Sequence, residues 1–294
     1  MVIVKIKHGL GNQMFQYAMG RSLARQLGAQ LILDTSYYAS QALYAPPAIR
    51  WYQLDNFRIS PRILGPRAQY CIGQLRRRWL TPARVVAQIG GVIRIVVDKE
   101  RGFDETLRRK GIIVYLDGYW QSERYFADLR EPLLDELSLR EPASPDTGQM
   151  LARINEGISV CVHIRHGDYA SNAEARNHWP ICSLDYYKSA MAYIGERVAG
   201  AKFYLFSDDI PWIQSNFPPA ENIVIVSGNA ANSDLEDFRL MMNCRHFIIA
   251  NSSFSWWAAW LGKQKDKIVV APKEWHRSKK LLEKDIVPDH WVRL

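Results

Sequence analysis

No apolar run in the sequence approaches the length of a bilayer-spanning helix, so a helix-anchored membrane protein is not expected. Cysteine is scarce. The four residues at 71, 161, 182 and 244 form no C-x-x-C pair and have no zinc spacing, which excludes a disulfide scaffold and a zinc module. Cys161 falls inside an apolar run and reads as a buried small hydrophobe, and this usage fits a reducing cytoplasm. Met1 runs straight into a short strand and a charged segment, without the pattern of a secretory leader. Internal repeats, low-complexity tracts and nucleic-acid-binding motifs are all missing.

What is present is an ordinary globular balance, with 48% hydrophobic and 23% charged residues. A length of 294 residues suggests two domains. The net charge of +8 favours anionic partners: a nucleotide, a nucleic acid or an acidic membrane surface. Composition does not choose among them. The basic runs Arg76-Arg77-Arg78, Arg108-Arg109-Lys110 and Lys279-Lys280 are scattered, as on a solvated face. An inner-leaflet contact is compatible with them.

Residues 2–6 read as a strand and 8–28 as a helix, with Phe15, Met19, Leu23 and Leu27 on one stripe and Gly28 as its stop. A second strand runs from Leu31 to Asp34. The turn of this β-loop-α-β unit carries Gly9, Gly11, Asn12 and Gln13. Its G-x-G start invites a dinucleotide reading, with Asp34 placed as the ribose acid, but Met14 stands where the third glycine belongs. What survives is narrower: glycines that let backbone approach a ligand, then amide side chains at a helix start. Asn12 reads equally as an N-cap. The Tyr/Trp-rich stretch from Tyr37 to Tyr52 reads as a sugar-stacking surface or as core. Strands are expected at 92–97 and 112–116, with a helix starting near Ser122. Residues 141–148, EPASPDTG, form the expected linker, giving domains 1–146 and 147–294.

The second half alternates strand and helix, which means a parallel sheet with helices on both faces. Strands are expected at 158–164, 202–206, 222–226, 246–250 and 267–271. Helices are expected at 183–196, in a short turn through Trp212, at 233–243 with Ser233 and Glu236 as a capping box, and at 251–262. Three strand ends carry polar clusters: His163/Arg165/Asp168, Ser207/Asp208/Asp209 and Asn251/Ser252/Ser253. Parallel strands bring them to one sheet edge, where such folds bind ligands. Arg165 reads as an anion clamp or as a surface group paired to Asp168. The Asn251–Ser253 helix start reads as a phosphate site or as simple capping. Asp208 and Asp209 suit a metal less well than a ribose or base. Asp237 reads as an acceptor for a guanine edge or as a solvated carboxylate. Trp256, Trp257 and Trp260 read as core.

GLGNQMFQYA (9–18), HIRHGDY (163–169), FSDD (206–209) and NSSFSWWAAWL (251–261) together resemble the α-1,2-fucosyltransferases of glycosyltransferase family 11. The resemblance implies a GT-B fold of two Rossmann-like α/β domains facing a cleft, with the acceptor side in the first. It implies GDP-fucose as donor, bound by the second domain, and inverting transfer to the 2-OH of a terminal galactose on a glycan without a metal or other cofactor. By position, Arg165 matches the arginine on the donor phosphate, His163 and Phe254 nucleotide-side residues, and Ser252 and Ser253 phosphate-side residues. Asn12 matches an asparagine near the reacting centre. Asp168 ends its motif and is a candidate base, as is Asp34. His8 departs from the pattern, standing where the family usually shows glycine. Two other readings keep parts of the pattern: a glycan- or nucleotide-sugar-binding module without turnover, and a nicotinamide-dependent oxidoreductase on the Gly9/Gly11 turn.

Overall fold

The computed structural model describes residues 1–39, 50–77, 93–98, 103–104, 112–167, 179–226, 233–277 and 285–294. The chain divides into two compact units. Unit 1 comprises Met1–Arg140 with Lys284–Ile286, and unit 2 comprises Glu141–Glu283 with Val287–Leu294. Two details differ from the sequence expectation. The stretch taken as a linker is half helix: Ser144 accepts from Thr147 N at 3.2 Å and caps a helix over Pro145–Asn155. Proline at the first helical positions lacks only an N–H that would be unpaired anyway. The chain also returns to unit 1 late, where the Asp285 carboxylate accepts from Phe103 N at 2.9 Å and pairs with Arg124 at 3.1 Å.

Unit 1 is a parallel sheet in the order β3-β2-β1-β5-β4. Its strands are β1 (Val2–Lys5), β2 (Leu31–Asp34), β3 (Arg62–Ile63), β4 (Ile93–Val97) and β5 (Ile113–Asp117). Helix α1 (Leu10–Gln26) follows β1, and α2 (Pro66–Arg77) follows β3. The α1 stripe expected from Phe15, Met19 and Leu23 is buried, and Gly28, with φ +57°, ends the helix as expected. Gly20 lies against the sheet: a Cβ built there would come within 2.2 Å of Val4 Cγ2. The other sheet face buries Ile3, Ile32 and Tyr115 and borders an apolar cavity of about 890 Å³. The helix expected near Ser122 is a single 3-10 turn, Glu123–Tyr125, which Ser122 caps.

Unit 2 holds the second parallel sheet, in the order β11-β10-β9-β6-β7-β8. Its strands are β6 (Ile158–Ile164), β7 (Ala201–Ser207), β8 (Ile223–Ile225), β9 (His246–Ile248), β10 (Val269–Ala271) and β11 (Val292–Arg293). Past the short α3 (Arg130–Glu136) of unit 1, its helices are α4 (Pro145–Asn155), α5 (Leu184–Gly195), α6 (Ile210–Asn216), α7 (Ser233–Met242) and α8 (Ser253–Leu261). Strand β6 is covered on both faces, which is why its sequence is a near-continuous apolar run; Cys161 is fully buried in it. Trp256, Trp257 and Trp260 are buried, so that stripe is core. On α7, Glu236 Oε1 pairs with Arg239 at 3.3 Å, and the Ser233 side chain of the expected capping box lies outside the described residues.

Gly20→Ala tests the sheet contact, because helix propensity and packing oppose each other. Propensity alone favours alanine by about 1 kcal/mol. The overlap with Val4 costs about 1–3 kcal/mol and prevails. A lowered Tm in the single variant, recovered in part by adding Val4→Ala, is the expected result in a thermal melt.

Candidate active site

In unit 2 the strand order reverses between β6 and β9, which are parallel neighbours with Val162 opposite Ile248. A crevice opens beyond the carboxyl ends of the strands at such a reversal. Strand β6 ends in His163 and Ile164 and runs on into Arg165, while β9 runs on into the segment that opens α8. The two ends touch: the His163 ring lies 5.9 Å from that of Phe254, in the first turn of α8, and Phe254 lies 5.3 Å from Phe238 on α7. His163 is buried, and its Nδ1 has no hydrogen-bond partner among the described residues. Burial, reinforced by the charge of Arg165, pushes its pKa down to about 3, so the ring is neutral.

The turn after β6 is held by the end of β7. Asp208 Oδ1 accepts from the backbone N–H of His166 at 3.0 Å and of Gly167 at 3.1 Å, and Oδ2 pairs with Arg165 at 3.2 Å. Gly167 packs closely, since a Cβ there would sit 3.1 Å from the Asp208 carbonyl. Asp209 accepts from His166 Nδ1 at 2.8 Å and from Trp212 N at 3.0 Å, capping α6, while the His166 ring stacks on Trp212 at 4.7 Å. The bond from His166 holds the Asp209 carboxyl below its usual range. Both aspartates therefore build the turn through bonds within the chain. Among the described residues, the carboxylate beside Arg165 is Asp208. Asp168 lies outside the described residues, as do Arg78, Arg108, Arg109, Lys110, Lys279 and Lys280.

The start of α8 separates three residues expected to act together. Asn251 is buried, and its amide donates to the carbonyls of Pro180 at 2.9 Å and Trp275 at 3.1 Å, so it ties loops together rather than facing a ligand. Ser252 occupies the N-cap, yet its hydroxyl makes no capping bond among the described residues. The first intrahelical bond runs from Trp256 N to Ser252 O, so the earlier N–H groups, beginning with Ser253, are open to an outside acceptor. The helix dipole makes that acceptor an anion. On α7, the half-buried Asp237 has its pKa raised to about 7 by burial and by the nearby Asp234 and Glu236.

In unit 1, β1 and β5 are parallel neighbours at the centre of the sheet. Helix α1 begins sooner than expected: Gly9 is its N-cap and Gly11, Asn12 and Gln13 lie in its first turn. Asn12 is thus not the cap; its Oδ1 accepts from Gln121 Nε2 at 2.8 Å. Gln13 is buried and spent, donating to the carbonyls of His8 at 2.9 Å and Trp51 at 2.8 Å and accepting from Gln53 N at 3.0 Å. Asp34 is buried too, accepting from Tyr115 OH at 2.7 Å and Ser36 N at 3.0 Å, which removes it as a candidate base. Gln121 and the His166–Asp209–Trp212 cluster were not picked out from the sequence. Each is defined by a partner at least 43 positions away, except the local cap at Trp212, so no spacing pattern marks them. Among the described residues, no three His, Cys, Asp or Glu side chains come together as a metal site, and no helix is long and apolar enough to cross a membrane.

Comparison with known proteins places these features. Residues 104–294 match the model for glycosyl transferase family 11. An alpha-1,2-colitosyltransferase of Escherichia coli is 32% identical over 308 aligned residues, covering 100% of this chain and 98% of that protein. A galactoside alpha-(1,2)-fucosyltransferase 1 of Lagothrix lagotricha is 26% identical, covering 85% of this chain and 62% of that protein. Among solved structures, a mutant of Arabidopsis thaliana FUT1 in complex with GDP is similar at a TM-score of 0.52 and 11% identity, covering 91% of this chain and 69% of that one. That likeness concerns the fold, and with the two parallel-sheet units it agrees with the GT-B class expected from the motifs.

The buried histidine has a pH signature. His163 titrates at about 3 in the fold and near 6.5 when unfolded, so the unfolded chain binds the proton first as pH falls. Its stability contribution is complete above about 6.5 and is lost progressively toward about 3. Asp237, raised to about 7, acts oppositely between its unfolded value and 7. The His163 contribution is therefore read as a difference: in melts between pH 7 and 4.5, the Tm of His163→Gln relative to wild type should rise as the pH falls.

Proposed function

The chain belongs to glycosyl transferase family 11, and on that premise we propose that it transfers L-fucose from GDP-β-L-fucose to the 2-OH of a terminal galactose, with inversion and without a metal ion. The observation that carries this reading is the pairing at the β6/β9 reversal of a guanidinium with a helix start that no described side chain caps. When the sugar–phosphate bond breaks, the electron pair goes to the diphosphate oxygen and negative charge builds there. Preorganised donors at that point stabilise the transition state, because they need no reorientation as the charge appears. Arg165 and the first-turn N–H groups at Ser253 and Phe254 are assigned that task, with Ser252 adding a hydroxyl. The acceptor oxygen attacks the anomeric carbon from the opposite side and loses its proton. With Asp34 committed to Tyr115 and Ser36, Asp168 is assigned as the base.

The rest of the edge supports a nucleotide. A half-buried carboxylate held near neutral pH gains from two N–H donors, and the guanine edge presents two; Asp237 is assigned to it. The neutral His163 and the Phe254 ring form an uncharged wall suited to the nucleoside. A second reading keeps the chemistry and changes the sugar, since the relative 32% identical across the whole chain is named for colitose. A donor panel with a lactose-type acceptor, run with and without chelator, distinguishes the two. A protein that binds GDP-fucose and releases no product would be the binding module instead.

Arg165→Ala should lower transfer by about 10²-fold or more at unchanged fold, as measured by product formation and circular dichroism. GDP binding should respond to Asp237. With a pKa of about 7, the carboxylate is mostly protonated at pH 6 and mostly ionised at pH 8. Calorimetric affinity for GDP should therefore rise about tenfold across that interval beyond the change shown by Asp237→Asn. Parallel curves for the two proteins would remove Asp237 from the guanine.

A further inference from the structure

Among the described residues, two other than glycine have left-handed backbone: His8, with φ +65°, and Trp120, with φ +55°. Each lies three positions beyond a strand, His8 after β1 and Trp120 after β5. These strands are parallel neighbours at the centre of the unit 1 sheet, so the two residues follow adjacent carboxyl ends. Backbone strain persists where the surroundings over-determine it and gathers at ligand sites. Glycine would adopt the His8 conformation freely, whereas an imidazole there is held against the local preference of the backbone.

The ring is closely held. Its Nε2 is hydrogen-bonded to Tyr119 OH at 3.0 Å and its Nδ1 to Tyr37 OH at 3.4 Å, with ring centroids 5.5 and 5.0 Å away. Burial, then the charges of Lys7 and Arg50, lowers its pKa to about 4, so the ring is neutral and presents one donor and one acceptor. Gln13 grips the carbonyls of both His8 and Trp51, which couples the imidazole to a tryptophan that is 70% exposed. On the next turn, Asn12 is fixed through its Oδ1 to Gln121, and its Nδ2 makes no hydrogen bond within the described residues. A neutral imidazole and an amide N–H₂ on one turn, tied through Gln13 to the backbone of an exposed tryptophan, suit an uncharged pyranose: hydroxyl partners and an indole for stacking.

We propose that His8 is a specificity-determining residue of the acceptor subsite, its Nδ1 giving up the long bond to Tyr37 for a hydroxyl of a neutral hexopyranoside. The 3.4 Å contact is the one to exchange, because it is far beyond the usual length of a hydroxyl hydrogen bond, whereas the bond to Tyr119 keeps the ring in place. The proposal rests on the glycosyl-transfer reading of unit 2 and extends it to the other substrate.

Two variants test it, His8→Gly and His8→Asn, both compatible with positive φ. Acceptor KM for lactose should rise about three- to tenfold in His8→Gly, with kcat and calorimetric GDP affinity within twofold of wild type. His8→Asn, which keeps a polar planar group, should recover part of the loss. Tm should hold in both variants, since glycine relieves the backbone. A lactose KM within twofold of wild type in His8→Gly would overturn the proposal, as would a rise in KM matched by equal loss of GDP binding. If the wild-type protein transfers no sugar, the parent reading fails, and lactose titration of the GDP-loaded protein decides the subsite. Weaker lactose binding in His8→Gly then supports it, and equal binding ends it.

Discussion

One carboxylate organises the second unit. Asp208, at the end of β7, takes two backbone N–H groups and a guanidinium, and so fixes both the path of the chain after β6 and the position of Arg165. A guanidinium on a long side chain would otherwise lose considerable rotamer entropy when it meets a ligand. Here that ordering is complete before any ligand arrives, which is what preorganisation requires. Gly167 lies in the same contact, where the turn packs directly on the Asp208 backbone.

The two units present different groups at the carboxyl ends of their central strands. In unit 2, where the order reverses between β6 and β9, the edge carries a guanidinium on one side and the open end of a helix dipole on the other. In unit 1 the ends of β1 and β5 carry, beside the paired Lys7 and Asp117, an imidazole held between tyrosines and an amide pair. A diphosphate leaving group suits the first and an uncharged sugar the second. This division of labour is the physical content of the proposed transfer.

Much of this was legible in the residues. The apolar run Ile158–Ile164 could only be a strand covered on both faces, and the polar residues after it could only lie at a strand end. The α1 stripe and its Gly28 stop read directly. Side-chain roles were harder. Asn251, Gln13 and Asp34 look like ligand groups because they are polar residues at strand ends and helix starts, yet each is buried and saturated by backbone or hydroxyl partners. Asp209 looks like a ribose acceptor and is a helix cap that also holds His166. Composition and spacing are the same for a group that meets a ligand and one that meets a distant carbonyl.

By itself, then, the sequence determined the periodic elements, their parallel arrangement and the sheet edge where chemistry gathers, because burial periodicity and cap chemistry act over a few residues. It also carried the family, through four motifs in order. Only the tertiary structure decided which polar groups are already satisfied and which remain open, since that depends on partners brought from as far as 182 positions away. The left-handed backbone at His8 and the near-neutral carboxyl of Asp237 belong to the same class. Both arise from what surrounds a residue in space, and burial and neighbouring charge have no local signature in the chain.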